Sequence, residues 1–402
     1  MSRSVTVVGS RLNDMGEVII TYSDGSEVNI GVVGGGNETN FVINSEDGGI
    51  SHAASRGISS AVSISAKFRI NTSYGGFFGT QTSTAESRGS GVIYKLDKSN
   101  GSAFIITNYH VIYNENARAN DGISEDISLF IYGSEATEYA IDAEFVGGSM
   151  YYDIAVLYVE SSELMKRASV AAVTPSSVND ASVGETAIAV GNPEGAGIST
   201  TLGVVSVDSE YITMESLDGT SAVSSRVIRV DTAINSGNSG GGLYNSRGEL
   251  IGIVNAKIAD SSVENIGYAI PQSIAIPVAQ NIIDNCFEKE NRSLLRPMLG
   301  VTLLSENAGS VISEKTGLIT KTESVVIGVV NADSLADGKL KSGDVITEIT
   351  IDGVTTKISR THHVIDIMLN ARVGDTVKIK LLRLGVEQTV EIEITESALT
   401  EY

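Results

Sequence analysis

Ser239 stands in the stretch of the chain best equipped for chemistry, Asp-Thr-Ala-Ile-Asn-Ser-Gly-Asn-Ser-Gly-Gly-Gly-Leu from Asp231 to Leu243. Gly237, Gly240, Gly241 and Gly242 crowd around it. Glycine allows φ > 0 and tight turns that a Cβ forbids. A loop of this kind can aim consecutive backbone N–H groups at one point beside the hydroxyl, where the negative oxygen of a tetrahedral intermediate would be held. The same composition also suits a plain glycine-rich hairpin loop. A hydroxyl needs a base before it can act as a nucleophile. Of the four histidines, His52 sits in a polar, glycine-containing stretch, and His362 and His363 lie far downstream. His110 remains, at the end of the apolar, strand-like run from Phe104 to Ile112. A carboxylate that fixes the imidazole tautomer is available in Asp153, at the head of the apolar run from Tyr151 to Val159.

Each of the three is weak evidence alone. Together they fall in the order His…Asp…Ser, one of the known orders for a relay of this type. The blocks around them resemble the HtrA (high-temperature-requirement) serine proteases. The resemblance rests on Thr-Asn-Tyr-His-Val, Asp-Ile-Ala-Val-Leu, Gly-Asn-Pro-Glu-Gly (Gly191 to Gly195) and Asn-Ser-Gly-Asn-Ser-Gly-Gly. Gly248 to Ile253 and Gly267 to Pro271 extend it, and it covers roughly 61–396. The sequence departs from the family pattern in three places. Tyr109 precedes the histidine where a small or amide residue is usual, Ser236 and Gly242 stand where prolines are common, and Gly191 to Gly197 lacks an aromatic after its proline.

The elements that must position these residues follow from composition and pattern. With 402 residues, two or three domains are expected, and 42% hydrophobic content can build proper cores. Abundant Gly, Val, Ile, Thr and Ser and the absence of tryptophan favour β-structure. The net charge of −21 disfavours nucleic acid or an anionic membrane as partner. Cys286 is the single cysteine, so no intrachain disulfide can form. Residues 1–34 read as a small β module, with strands at Val5 to Val8, Val18 to Tyr22 and Val28 to Val33. The turns fall at Asn13 to Gly16 and Ser23 to Ser26. Residues 35–60 have linker composition, with His52 solvated. A protease-like domain spans 61–271, with its first strand at Val62 to Ile70 and a Ser/Thr/Gly-rich loop from Asn71 to Arg88. Helical spacing of Ile274, Val278, Ile282, Ile283, Cys286 and Phe287 predicts a connecting helix within 272–296, with Cys286 on its buried face. Residues 297–396 form a last domain and 397–402 a tail. The Gly343 to Ile346 and Asp352-Gly353 pattern in the last domain resembles a PDZ domain, with a helix from about Thr361 to Leu369. The expected fold is therefore mainly β: a chymotrypsin-like double barrel of two six-stranded units, an α+β PDZ domain, and the small N-terminal module.

The resemblance implies an endopeptidase acting on unfolded or misfolded proteins through a Ser-His-Asp triad. Ser239 is the nucleophile, His110 the base, Asp153 its partner, and the N–H groups of Gly237 and Ser239 the oxyanion donors. The segment Val254, Asn255 and Ala256 would pair with substrate backbone as an added strand. Ile234, five residues before Ser239, would line the specificity pocket and favour cleavage after small or medium aliphatic residues. In the PDZ-like domain, the loop around Leu299 and Gly300 would bind a peptide C-terminal carboxylate, with the peptide lying along Val301 and against Val364 and Met368. His362 and His363 read as surface residues at the helix start, with no zinc spacing around them. No metal or organic cofactor is required. The family also implies a homotrimer and an exported or envelope-anchored location. No signal segment or membrane-length run is visible, so a removed leader and a cytoplasmic location both stay open. The competing reading is a non-proteolytic HtrA-like chaperone or peptide-binding protein.

Overall fold

The computed structural model describes residues 7–12, 17–22, 27–32, 49–73, 80–117, 120–131, 139–178, 180–195, 197–217, 219–256, 266–287, 295–312 and 317–401. The N-terminal module is an antiparallel three-stranded sheet of Val7–Leu12, Glu17–Tyr22 and Glu27–Val32. Its first strand runs on past the expected end at Val8, and the start of the expected run, at Val5, lies outside the described residues. Both expected turns of this module lie outside the described residues, as does most of the expected linker.

Within that linker, Ile50–Ser59 is an α-helix. Its composition is polar, but Ala53 and Gly57 share a face that is buried against the second barrel. A Cβ at Gly57 would meet Val190 Cγ2 at 2.7 Å, so the small residue permits the close approach. His52 on this helix is half-buried rather than solvated.

The first half of the protease body is a curled seven-stranded sheet, one strand more than expected. Its order is Ile141–Asp142, Asp126–Ile131, Ala61–Ser73, Thr80–Asp97, Ser102–Thr107, Ile154–Val159 and Glu144–Ser149. Much of the expected loop from Asn71 to Arg88 is strand instead. Ser65 faces Arg88 and Ser73 faces Thr80 in one unbroken antiparallel register, and from residue 83 to 88 burial alternates with the β period of two. Ile64, Ile93, Ile105, Leu129 and Leu157 fill the inside of this sheet.

The second half is a closed six-stranded barrel. Around it run Thr186–Gly191, Ser199–Glu215, Ala222–Val230, Gly267–Pro271, Leu250–Val254 and Gly242–Tyr244. Closure removes free strand edges and puts Ala189, Val205, Ile228, Val230 and Leu243 inside. The helix Gln272–Ile282 and a further π-type turn, Ile283–Phe287, pack Ile274, Val278, Ile282 and Cys286 against both halves. Cys286 is buried, and a Cβ at Gly147 would meet its Sγ at 2.7 Å.

The last domain is a sheet ordered Val301–Ile312, Ile319–Val330, Val345–Ile351, Thr376–Arg383 and Val386–Glu393, with the short strand Val354–Lys357 paired to Val345–Ile351. The helix Thr361–Met368 lies on it, and Ile327, Ile349, Val364, Ile379 and Ile392 form the core. The expected tail contributes Leu399–Glu401, which pairs with Leu295–Pro297. Among the described residues, no helix is long and apolar enough to cross a membrane.

Candidate active site

His110 is presented by a break in the sheet. The strand Ser102–Thr107 ends at the fully buried Asn108, whose side-chain N–H donates to the Asp153 carbonyl at 2.9 Å. A single helical turn, Tyr109–Ile112, then lifts His110 to the rim. Tyr109, unusual before the histidine, is buried against Gly148, where a Cβ would meet its ring at 2.5 Å, and edge-on to Phe145. Burial pushes its phenol up to about 12.

Asp153 occupies the left-handed region at φ 51°, in the turn that opens the strand Ile154–Val159. Its carboxylate is fixed by three donors. Oδ1 accepts the His110 backbone N–H at 3.0 Å, and Oδ2 pairs with His110 Nδ1 at 2.7 Å. Oδ2 also accepts from Asn255 Nδ2 at 2.7 Å. With Nδ1 protonated toward the carboxylate, Nε2 carries the lone pair and can accept a proton.

Ser239 lies in a loop stitched to both halves of the body. Its carbonyl accepts from Ser90 N–H at 2.8 Å, and Gly240 N–H donates to the Val254 carbonyl at 2.9 Å. Gly240 needs its missing side chain: at φ 85° a Cβ would sit 2.1 Å from the Ser90 carbonyl oxygen. Gly237 is also left-handed, at φ 95°. Among the described residues, the N–H groups of Gly237 and Ser239 donate to no protein acceptor, so both are available as a donor pair. Ser239 Oγ accepts from Ala256 N–H at 3.1 Å, and no hydrogen bond joins it to His110 among the described residues. The two sides still meet closely, because a Cβ at Gly89 would touch Val111 at 2.6 Å and the Ser239 carbonyl oxygen at 3.2 Å.

Ser90 is a site residue that sequence reasoning missed. Its buried Oγ donates to the Gly237 carbonyl at 2.7 Å and accepts from Asn192 N–H at 2.8 Å. It thereby ties the first sheet to both the Ser239 loop and the Gly191 to Gly197 loop. Its placement in Gly89-Ser90-Gly91 was the available signal, since flanking glycines admit close backbone approach.

The segment expected to pair with substrate backbone is partly engaged within the protein. Val254 is buried, with its N–H donated to Gly241 at 2.8 Å and its carbonyl engaged by Gly240. Asn255 is also buried, with its backbone N–H on the Tyr268 carbonyl at 2.9 Å and its side chain on Asp153. Ile234 is half-buried against the second barrel core and over Gly267, where a Cβ would meet its Cδ1 at 2.5 Å.

Leu299, Gly300, Val301, Val364 and Met368 all line one cavity of about 280 Å³. Its opposite wall comes from the protease body and includes Tyr151, Tyr152, Tyr211 and Arg226. Tyr151 and Tyr152 directly precede Asp153. Arg296 Nη1 donates to the Tyr152 hydroxyl at 2.5 Å, and burial pushes the Tyr152 phenol well up.

His362 and His363 are not surface residues. Both Nε2 atoms meet Asp180 of the protease body, at 2.9 Å and 2.5 Å. Burial drives the His362 imidazole below its ordinary value. Burial also acts to raise the Asp180 carboxyl, but hydrogen bonds from both imidazoles outweigh it and hold Asp180 well below the usual carboxylate range. Ligand atoms of these three residues lie within 4.8 Å, which makes them the metal-capable group among the described residues. His363 Nδ1, however, accepts the Ser359 N–H at 3.3 Å, so its proton sits on Nε2 and bridges to Asp180. The trio is thus a proton-bridged contact between domains.

Residues 89–253 match the model of the trypsin-like peptidase domain, and residues 297–394 match that of the PDZ domain. The serine protease Do-like HtrA of Lactococcus lactis is 34% identical over 81% of this chain and 75% of its own length. Its namesake in Bacillus subtilis is 34% identical over 78% of this chain and 64% of its own length. The periplasmic pH-dependent serine endoprotease DegQ of Escherichia coli is 30% identical over 79% of this chain and 62% of its own length. Among solved structures, an HtrA-type protease AlgW with tripeptide superposes with a TM-score of 0.50 at 26% identity, covering 87% of this chain and 97% of that one. A trypsin-like body joined to a PDZ domain, with relatives of this identity and coverage, shows that the chain belongs to the HtrA family of serine proteases.

Proposed function

We propose that the protein hydrolyses peptide bonds through an acyl-enzyme formed on Ser239. The observation that carries this reading is the Asp153 carboxylate bound to both the backbone and Nδ1 of His110, with Ala256, next to Asn255, bonded to Ser239 Oγ. Ser239 Oγ attacks the scissile carbonyl while His110 Nε2 takes its proton. The negative oxygen of the tetrahedral intermediate is met by the N–H groups of Gly237 and Ser239, each such donor being worth roughly 10²–10³ in rate. The protonated His110 then gives its proton to the leaving amine, and water enters by the same route in reverse to release the acyl group. Asp153 keeps the imidazole in the tautomer this sequence of transfers requires.

Ile234 offers only apolar contact, which favours an aliphatic residue before the scissile bond. The PDZ groove takes hydrophobic peptide C-termini, and unfolded or misfolded proteins are the substrates in which such segments are accessible. An extracytoplasmic location is supported by the relatives named as periplasmic endoproteases. Casein hydrolysis by the wild type and by Ser239→Ala tests the core of this reading. The variant should lose at least about 10⁴-fold in rate, and a variant retaining most activity would remove Ser239 from the mechanism.

A further inference from the structure

Asp180, His362 and His363 bring three metal-binding side chains to one point on the boundary between the protease body and the PDZ domain. Asp180 stands just before the barrel strand Thr186–Gly191, and both histidines lie in the first turn of the helix Thr361–Met368. The Nε2 atoms of His362 and His363 lie 2.9 Å and 2.5 Å from the two oxygens of the Asp180 carboxylate. The imidazole rings meet edge to face, with centroids 4.8 Å apart. Two consecutive helix residues thus aim their outer nitrogens at one carboxylate, and the three ligand atoms lie within 4.8 Å of one another. Tetrahedral zinc holds nitrogen at about 2.0–2.1 Å, which sets its donors roughly 3.3 Å apart. The observed separations reach from 2.5 Å to at most 4.8 Å, around that value, so small side-chain shifts admit a cation. The site is also secluded, with the side chains of His362, Asp180 and His363 3%, 9% and 12% exposed. Burial favours the neutral form of the His362 imidazole. Against the upward pull of burial, hydrogen bonds from the two imidazoles keep Asp180 ionised. A neutral imidazole and an ionised carboxylate are the forms that bind metal.

We infer that Asp180, His362 and His363 form a site for a divalent cation of the zinc class, which ties the PDZ helix to the protease body. Two imidazole nitrogens beside one carboxylate suit zinc and its neighbours, whereas magnesium and calcium require a shell of oxygens. The cation takes the place of the protons that now bridge the rings to Asp180. Each Nε2 must offer its lone pair, so the ring proton moves to Nδ1 by exchange with solvent. At His363 this gives up the bond from the Ser359 N–H, which at 3.3 Å is already long. One weak hydrogen bond is thereby exchanged for a metal–nitrogen bond. Water completes the coordination from the side of His363, the most accessible of the three. Val364, two residues beyond His362, and Met368 line the cavity between the domains, so the bound cation steadies that wall.

The test titrates Zn²⁺ by calorimetry into the full chain carrying Ser239→Ala, which prevents self-cleavage. The same titration is made with His362→Gln, His363→Gln or Asp180→Asn added to that parent. One Zn²⁺ should bind per parent chain with a Kd of about 10 µM or tighter. Each added substitution should weaken binding by at least about tenfold, since losing even a partner that supports a ligand costs that much. Co²⁺ in place of Zn²⁺ should give the parent the visible absorption of a four-coordinate ion, and the three variants should lack it. Adding His110→Gln instead should leave the affinity unchanged, because that imidazole belongs to a separate cluster. Circular dichroism selects the variants that fold, and the half-buried His363 makes His363→Gln the mildest of them. A parent that binds more weakly than about 10 µM overturns the inference. So does any folded variant of the trio that binds within tenfold of the parent, which would mark an adventitious ion only. Loss of binding in His110→Gln would place the cation at the proposed relay and overturn it equally.

Discussion

Among the described residues, Ser239 Oγ accepts the backbone N–H of Ala256 at 3.1 Å and makes no hydrogen bond to the His110 imidazole. That bond occupies a lone pair of the hydroxyl and leaves its proton free, so transfer to His110 requires the two side chains to approach and not a change of partner. The segment that holds it continues from Asn255, which is bonded to Asp153, and Asp153 follows the two tyrosines that wall the PDZ groove. A peptide with a hydrophobic C-terminus should therefore speed fluorophosphonate labelling of Ser239 by about tenfold at saturation, a coupling of about 1.4 kcal/mol. Labelling at one rate with and without the peptide would mean that the groove and Ser239 are uncoupled.

Ser90→Ala should impair both stability and catalysis. The change leaves the Gly237 carbonyl without its 2.7 Å donor and the Asn192 N–H without its 2.8 Å acceptor, both beside a buried loop. Unmade buried hydrogen bonds cost about 1–3 kcal/mol each. Thermal unfolding should register a loss in this range, and kcat should fall by at least about tenfold as the loop carrying the proposed oxyanion donors loses its support. Full activity in Ser90→Ala would show that the loop holds its shape without this link.

Arg226 and Asp366 form an almost dry ion pair between the protease body and the PDZ helix, with Ser273 Oγ donating to the same carboxylate at 2.7 Å. Removing one partner strands a buried charge, so Arg226→Ala or Asp366→Ala should cost about 3–5 kcal/mol in chemical denaturation. Replacing both together with Arg226→Met and Asp366→Leu should recover most of that loss. A double variant no better than the singles would count against the stranded-charge explanation.

Acidification should loosen the same boundary through Asp180 and His362. His362 has a folded value below its unfolded one of about 6.5, so between the two the unfolded chain binds more protons and stability falls as pH drops. Asp180 is held well below the usual range, so its contribution is present above its unfolded value of about 3.9 and is lost as pH falls toward its folded value. Unfolding measured from pH 7.5 to 5.5 should show declining stability, and His362→Gln should flatten that decline. An identical slope in the variant would assign the effect to other groups.

Ile234→Asp should redirect substrate choice. A carboxylate on the wall now formed by this aliphatic side chain over Gly267 would reject apolar side chains and attract basic ones. Cleavage after Val or Ala in a peptide library should fall by about tenfold or more, with Lys and Arg gaining. An unchanged library profile would place the specificity pocket elsewhere.

Chemical types and local periodicities were legible from the sequence alone. A serine among glycines, a histidine ending an apolar run and an aspartate opening another can be read because glycine conformation and strand period are properties of short stretches. The same holds for the buried face of Gln272–Ile282, which the spacing of Ile274, Val278 and Ile282 announces. Tertiary structure alone decided which of those groups touch. Asn255 reads as an edge residue until barrel closure turns it toward Asp153, and Ser90 reads as a strand opening until two loops converge on its hydroxyl. His362 and His363 look solvated on an isolated helix, and only the docking of that helix on Asp180 buries His362 and half-buries His363. Contacts like these join residues more than a hundred positions apart, and their partners are set by how sheets close and domains pack, which no local pattern encodes.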